Sequence, residues 1–302
     1  MPGERRISRM RFKQSILNNR RVFAICGLVL LGLFYSDTQR FASRAVADPI
    51  PQILDTAEAT SIPAAHASPI LRLYQDDPLA YLKQARDDYD RRIRDYVCDF
   101  TKQELLGGRL GDEQLAQAKF REGPFSVYMH ITQNPTRARR LLYVKDRIVK
   151  DGRQQMLVQP EGPIARLLVN SVERPIDGLD ARRAARKTIA DFGFARSLDM
   201  LIKYADVAEQ KGRLDIRYIG EGEIDGRPTY IIARLSPIDD TSYPWADARV
   251  IIHMDQEWHL PVACYSYEDL DATRLLGSYV YTNVRLNVGL QDTDFDRKTY
   301  GL

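Results

Sequence analysis

The sequence predicts an α+β fold: a large antiparallel sheet that curls into a barrel or half-barrel, with helices plugging its mouth. Three observations carry this expectation. Segments with a period of two dominate the chain, and only a few stretches show a helical period. Consecutive strand segments are joined by short polar links such as Asp151-Gly152 and Asp225-Gly226, which fit antiparallel hairpins. The strand segments form two runs on either side of a helical middle. A sheet of roughly eight to eleven strands must cover its dry face, and curling around helices does so.

The N-terminus differs in kind from the rest. Arg5, Arg6, Arg9, Arg11, Lys13, Arg20 and Arg21 precede the apolar run VFAICGLVLLGLFY at residues 22–35. That run fits a signal-peptide core and is short of the roughly 20 residues of a membrane span. AVA at 45–47 offers a small-x-small cleavage site, but it lies well beyond the run. Residues 1–47 are therefore expected to act as a signal peptide or as an uncleaved N-terminal membrane anchor. Either way the basic flank stays cytoplasmic and the remainder is exported. The expected location is the periplasm, free or anchored to the inner membrane.

Residues 1–47 hold nine of the 44 basic and two of the 41 acidic residues, which leaves the rest of the chain at net −4. A nucleic-acid binder needs a basic surplus on its folded part, so nucleic acid is not an expected partner. Residues 48–75 are rich in Pro and Ala without a lasting period, and read as a flexible linker. The folded domain is expected over 76–302.

Its elements follow in order. Asp77 caps and Pro78 opens a helix over about 79–95, with Leu79, Leu82, Tyr89, Ile93 and Tyr96 at near-helical spacing. From Tyr96 the period changes to two. LLGGRLGDEQ reads as a turn region, and QAKFREGPFSVYMHI as one or two strands. RRLLYVKDR (139–147) and QMLVQ (155–159) add two more. The middle holds a short basic helix over 179–190 and a second helix capped by Ser197 and stopped by Gly212. Strands then return: RLDIRYIG, PTYIIARLS, ARVIIHMD, LPVACYSYED and GSYVYTNVRLNV.

Catalytic patterns are sparse. The chain has no G-x-S-x-G, H-E-x-x-H, C-x-x-C or phosphate loop, so no enzyme, cofactor or metal is expected. His253 and His259 flank a hairpin and lack obvious further metal ligands. Asp292, Asp294 and Asp296 in DTDFD resemble the start of a calcium loop but lack its Gly and closing Glu, so a solvated acidic tail is expected. Arg137, Arg139 and Arg140 form one basic cluster; Arg182, Arg183, Arg186 and Lys187 form another. Both read first as solvated faces, with anionic lipid headgroups or an acidic partner as the functional alternative. GPIARLLVNSV (162–172) reads as core or as a flap over a cavity. Cys98 and Cys264 are the two cysteines of the exported part, and a disulfide between them is open.

The clearest candidate site is the dry face of PFSVYMHI. Phe125, Val127, Met129 and Ile131 alternate with wetter residues, and Leu142 and Val144 are expected to join them. Together they would line the concave side and contact an apolar ligand.

Several segments agree in order with a known family. YVCDFTKQE, FREGPFSVYMHI, RRLLYVKD and the terminal LNVGLQDTDFDRKTYGL resemble the domain of unknown function 1571 family of bacterial exported proteins. The resemblance covers about 77–302. More distantly the architecture is similar to the LolA/LolB/RseB-like lipoprotein-carrier superfamily. That resemblance implies a large curved antiparallel sheet, a half-barrel, with helices packed on its concave side; in the carriers the space between sheet and helices receives acyl chains. It transfers no individual ligand residue, and the chain lacks a lipoprotein cysteine. The expected function is a non-enzymatic envelope protein that binds a lipid, a lipoprotein acyl chain or another apolar ligand. The alternative is an interaction or sensor module of the envelope with a filled core and a protein partner. The membrane would be met through the N-terminal segment if it is uncleaved.

Overall fold

The computed structural model describes residues 69–162, 169–236 and 247–302. The expected leader, the linker up to residue 68 and most of the apolar segment 162–172 lie outside the described residues.

Ordered structure begins earlier than residue 76. Helix α1 (Pro69–Asp76) occupies residues expected as the end of the linker. A helix of about two turns shows too few repeats for its period to be read. Tyr74 holds it down: the side chain is fully buried, 3.8 Å from the Tyr81 ring and 5.0 Å from the Tyr230 ring, centroid to centroid. Helix α2 (Pro78–Arg92) starts as expected. The Asp77 carboxylate accepts from the Ala80 N–H at 2.8 Å, and Pro78 occupies the first turn, where its missing N–H costs nothing.

Among the described residues thirteen strands form one antiparallel sheet, the three shortest having escaped the sequence pattern. They are β1 (Asp95–Leu106), β2 (Arg109–Leu110), β3 (Gln114–Arg121), β4 (Ser126–Gln133), β5 (Ala138–Val144), β6 (Val149–Lys150), β7 (Arg153–Pro160), β8 (Val172–Pro175), β9 (Asp215–Ile224), β10 (Arg227–Leu235), β11 (Arg249–Asp255), β12 (Pro261–Tyr267) and β13 (Leu275–Leu286). The order β6-β7-β5-β4-β3-β1-β13-β12-β11-β10-β9 describes two meanders that meet where β1 pairs with β13. The sheet is curved and open, with helices on its concave face.

Between the meanders lie α3 (Leu179–Ala184) and α4 (Phe194–Gln210). The expected basic helix over 179–190 is shorter than its pattern. After Ala184 the chain turns out and re-enters as a 3-10 turn at Ile189–Asp191, where the Asp191 carboxylate accepts from the Thr188 N–H (2.8 Å) and hydroxyl (2.7 Å). Helix α4 starts before Ser197, at Gly193. That residue has φ +117°, and a Cβ there would lie 2.9 Å from the Tyr96 hydroxyl and 3.0 Å from Phe120. Only glycine suits both the backbone and the closeness. Ion pairs Arg86–Asp199 (2.6 Å) and Lys83–Asp206 (2.8 Å) join α2 to α4 at the surface.

The concave core gathers aromatic rings from sheet and helices. Tyr96 stacks on Phe120 at 4.7 Å, and Phe194 of α4 packs against Tyr96 and Tyr281. Phe125, Val127, Met129 and Ile131 all belong to this core. Leu142 and Val144 do not. They join Tyr128 and Leu157 in a second cluster on the opposite face of the sheet. The reason is register: Val127 pairs with Tyr143 and Met129 with Leu141, so the inward residues of β5 are Leu141 and Tyr143. All of LLYV is apolar, so the sequence could not choose between its two faces.

The chain after β13 covers that second cluster. Phe295 is fully buried, Leu302 is 6% exposed, and the Tyr300 ring stacks on Tyr128 at 3.6 Å. The acidic DTDFD segment is tied down and not free in solvent. Asp294 pairs with Lys119 at 2.7 Å, Asp292 with Arg121 at 2.9 Å, and Asp296 accepts from the Lys298 N–H.

The cysteines form no disulfide: Cys98 and Cys264 are free thiols. Cys98 lies on β1 and Cys264 on β12, with β13 between them. Two interstrand spacings of about 4.8 Å exceed the roughly 7 Å Cα limit for a bridge.

Candidate functional site

The helices do not fill the concave face. A cavity of about 400 Å³ remains between β1, β3, β4, β5, β7, β12 and β13 on one side and the α3–α4 region on the other. Its body is apolar. Phe100, Ala116, Met129, Ile131, Leu141 and Met156 line it, with Phe192 and Ile189 opposite. The volume lies within the roughly 300–1,000 Å³ of small-molecule sites.

The pairing register places this lining. Phe100 stands opposite Ala116, and Ala116 opposite Ile131. Met129 stands opposite Leu141, and Leu141 opposite Val158. Each strand thus offers alternate residues to one continuous apolar surface. Of the six residues singled out in the sequence, Met129 and Ile131 line the cavity. Phe125 and Val127 lie in the same concave core outside the cavity wall. Leu142 and Val144 face away. Leu141, Met156 and Ala116 were missed; extending the Met129 register across β5 would have found Leu141.

Polar groups border the apolar body. Glu104 is buried yet fully engaged. Its carboxylate accepts from Lys102 Nζ at 2.8 Å, from the Tyr279 hydroxyl at 2.9 Å and from the Arg186 N–H at 3.2 Å. Burial, and then the charge of Glu104, push the Tyr279 phenol well above its usual range, so it stays a donor. Lys187 Nζ lies 4.7 Å from the centre of the same Tyr279 ring, a cation–π contact. Burial also raises the Cys264 thiol, which lines the cavity as a neutral, soft group.

The histidines take separate partners. His259 Nδ1 lies 3.1 Å from the Tyr81 hydroxyl, and His253 Nδ1 lies 3.1 Å from Thr229 Oγ1. Burial depresses His253 to about 4 and lowers His259 less. Among the described residues no cluster of three His, Cys, Asp or Glu side chains could hold a metal ion. Of the basic clusters, Arg139 pairs with Glu161 at 3.5 Å, Arg186 with Asp247 at 3.2 Å, and Arg140 donates to the Tyr300 carbonyl at 3.1 Å.

Residues 93–300 match the family described as "Protein of unknown function (DUF1571)". No curated protein sequence matches the chain. Among solved structures, MucB is similar at 14% identity with a TM-score of 0.43, over 72% of this chain and 62% of that one, so the chain spans less than two thirds of MucB. A LolA superfamily protein from Nitrosomonas europaea is similar at 12% identity and a TM-score of 0.32, over 72% of this chain and 98% of that one. The Mycobacterium tuberculosis lipoprotein LppX is similar at 12% identity and a TM-score of 0.37, over 74% of this chain and 100% of that one.

Proposed function

The chain belongs to the DUF1571 family, whose function is unknown, and we propose that it is an exported, non-enzymatic envelope protein that binds an acyl chain or similar apolar ligand in its concave cavity. One observation carries the reading: a cavity of about 400 Å³ walled by Phe100, Ala116, Met129, Ile131, Leu141 and Met156. An apolar chain placed there gains roughly 25 cal/mol per Å² of surface that it and the wall remove from water. Such capture needs shape and dryness, and no reacting group. The filled-core alternative predicts helices packed flush against these residues, and the cavity favours the binding reading over it.

The test fills the space from within. Ala116 is 5% exposed and sits on the cavity floor. Ala116→Phe places a ring where the ligand would lie, and the empty volume spares the variant the roughly 1–3 kcal/mol of ordinary overpacking. The wild type is expected to take up the neutral dye Nile red with saturable fluorescence, and the folded variant to lose that uptake. Equal uptake by both would place the dye elsewhere and end the cavity reading.

A further inference from the structure

The cavity is polarised along the strands. In its body the inward residues are Phe100 on β1, Ala116 on β3, and Met129 and Ile131 on β4. Two residues along, the inward positions are Lys102 on β1 and Gln114 on β3, which pair, and Tyr279 on β13, which pairs with Lys102. Thr136 and Arg137 of the β4–β5 connection line the same end, where Gln114 Nε2 donates to Thr136 Oγ1 at 3.4 Å. The sheet wall of the cavity is therefore polar at one end and apolar along its body.

The charges at the cavity wall do not cancel. Glu104 is consumed by Lys102, Tyr279 and the Arg186 N–H. Asp191 keeps its charge, its Oδ2 accepting from the neutral Thr188 N–H and hydroxyl, and offsets only one of the two cations Lys187 and Arg137. Asp180 lies 3.9 Å from Arg174. Lys187 and Arg137 also line the cavity, and neither forms an ion pair with a described residue. Lys187 is half-buried, held against the Tyr279 ring whose hydroxyl is already anchored to Glu104. An ammonium group seldom gives up water without a counter-charge. Among the described residues no carboxylate forms an ion pair with this ammonium, and beside it runs the apolar lining of the cavity.

We propose that the ligand is a single-chain amphiphile with a monoanionic head of the carboxylate class. The head sits at the polar end, against Lys187 and within reach of Arg137, and the chain lies along Ala116, Met129 and Leu141. This rests on the cavity reading above and adds the charge and direction of the ligand. The Glu104–Lys102–Tyr279 cluster is a positioning device: it fixes the ring on which Lys187 rests.

The test compares palmitate with hexadecanol, which share a chain and differ in charge, by displacement of Nile red from the full chain. Palmitate is expected to bind about tenfold more tightly, the scale of one partly solvated charge-assisted hydrogen bond. Lys187→Gln should remove most of that preference, Arg137→Gln should reduce it, and Lys187→Arg should keep it. Hexadecanol binding should be the same in all of them, which also reports that the variants are folded. Added salt should compress the preference in the wild type. Equal binding of palmitate and hexadecanol by the wild type, or a preference that survives in the Lys187→Gln, Arg137→Gln double variant, would overturn the headgroup assignment and leave the cavity reading standing. If neither compound displaces the dye, the cavity reading falls and takes this inference with it.

Discussion

The Tyr279 hydroxyl donates a 2.9 Å hydrogen bond to the buried carboxylate of Glu104, joining β13 to β1 at the polar end of the cavity. These two strands are the seam between the two meanders, so a side-chain bond reinforces the backbone ladder where the halves of the sheet meet. Tyr279→Phe keeps the ring and the Lys187 contact but removes one donor from a buried charge. Unfolding by denaturant should show a loss of about 1.5–3 kcal/mol. An unchanged midpoint would mean that Lys102 and the Arg186 N–H alone satisfy the carboxylate.

The two faces of β5 separate binding from stability. Leu142 is 4% exposed on the face away from the cavity, packed in the cluster that Phe295 and Leu302 complete. Leu142→Ala should cost about 2–5 kcal/mol by leaving a void under the terminal segment. Nile red uptake by the folded fraction should not change. Loss of uptake with full stability would reverse the face assignment.

Gly193 is the hinge into α4. With φ +117° and a Cβ position 2.9 Å from the Tyr96 hydroxyl, Gly193→Ala combines backbone strain with a steric clash. The strain alone is about 1–3 kcal/mol. Thermal unfolding should show at least that loss, and a neutral Ala variant would contradict the tight passage of the chain over Tyr96 and Phe120.

His253 gives a pH signature. Burial holds its folded value near 4, against 6.5 when exposed, beside Thr229 and against the Tyr265 ring. The unfolded chain then binds the extra proton between these values. Stability from this residue is full above pH 6.5 and falls as the pH drops towards 4. Stability measured across this window should decline less steeply in His253→Gln than in the wild type. Parallel curves would show that the ring is solvated.

Much of the architecture was legible because period and turn chemistry agree locally. PFSVYMHI alternates cleanly, and its apolar face is the concave one. Asp77-Pro78 marks a helix start, and Asp225-Gly226 a hairpin. What stayed hidden needs information from a distance. LLYV is apolar on both faces, and only pairing with Val127 and Met129 decides that Leu141 points inward. Helix α1 is too short to show a period and is held by Tyr74 through rings far along the chain. DTDFD reads as solvated because Lys119 and Arg121, its partners, lie some 170 residues earlier, on β3. The cavity itself is a failure of α3 and α4 to fill the sheet, and no local pattern encodes an unfilled space.

The most direct measurement is on the full chain, exported and purified without detergent, then extracted with organic solvent and analysed by mass spectrometry beside the native mass of the intact protein. The account predicts an acyl compound at one per chain in the wild type, and its absence from Ala116→Phe. A clean wild-type protein that also fails to take up palmitate, hexadecanol or Nile red would contradict it.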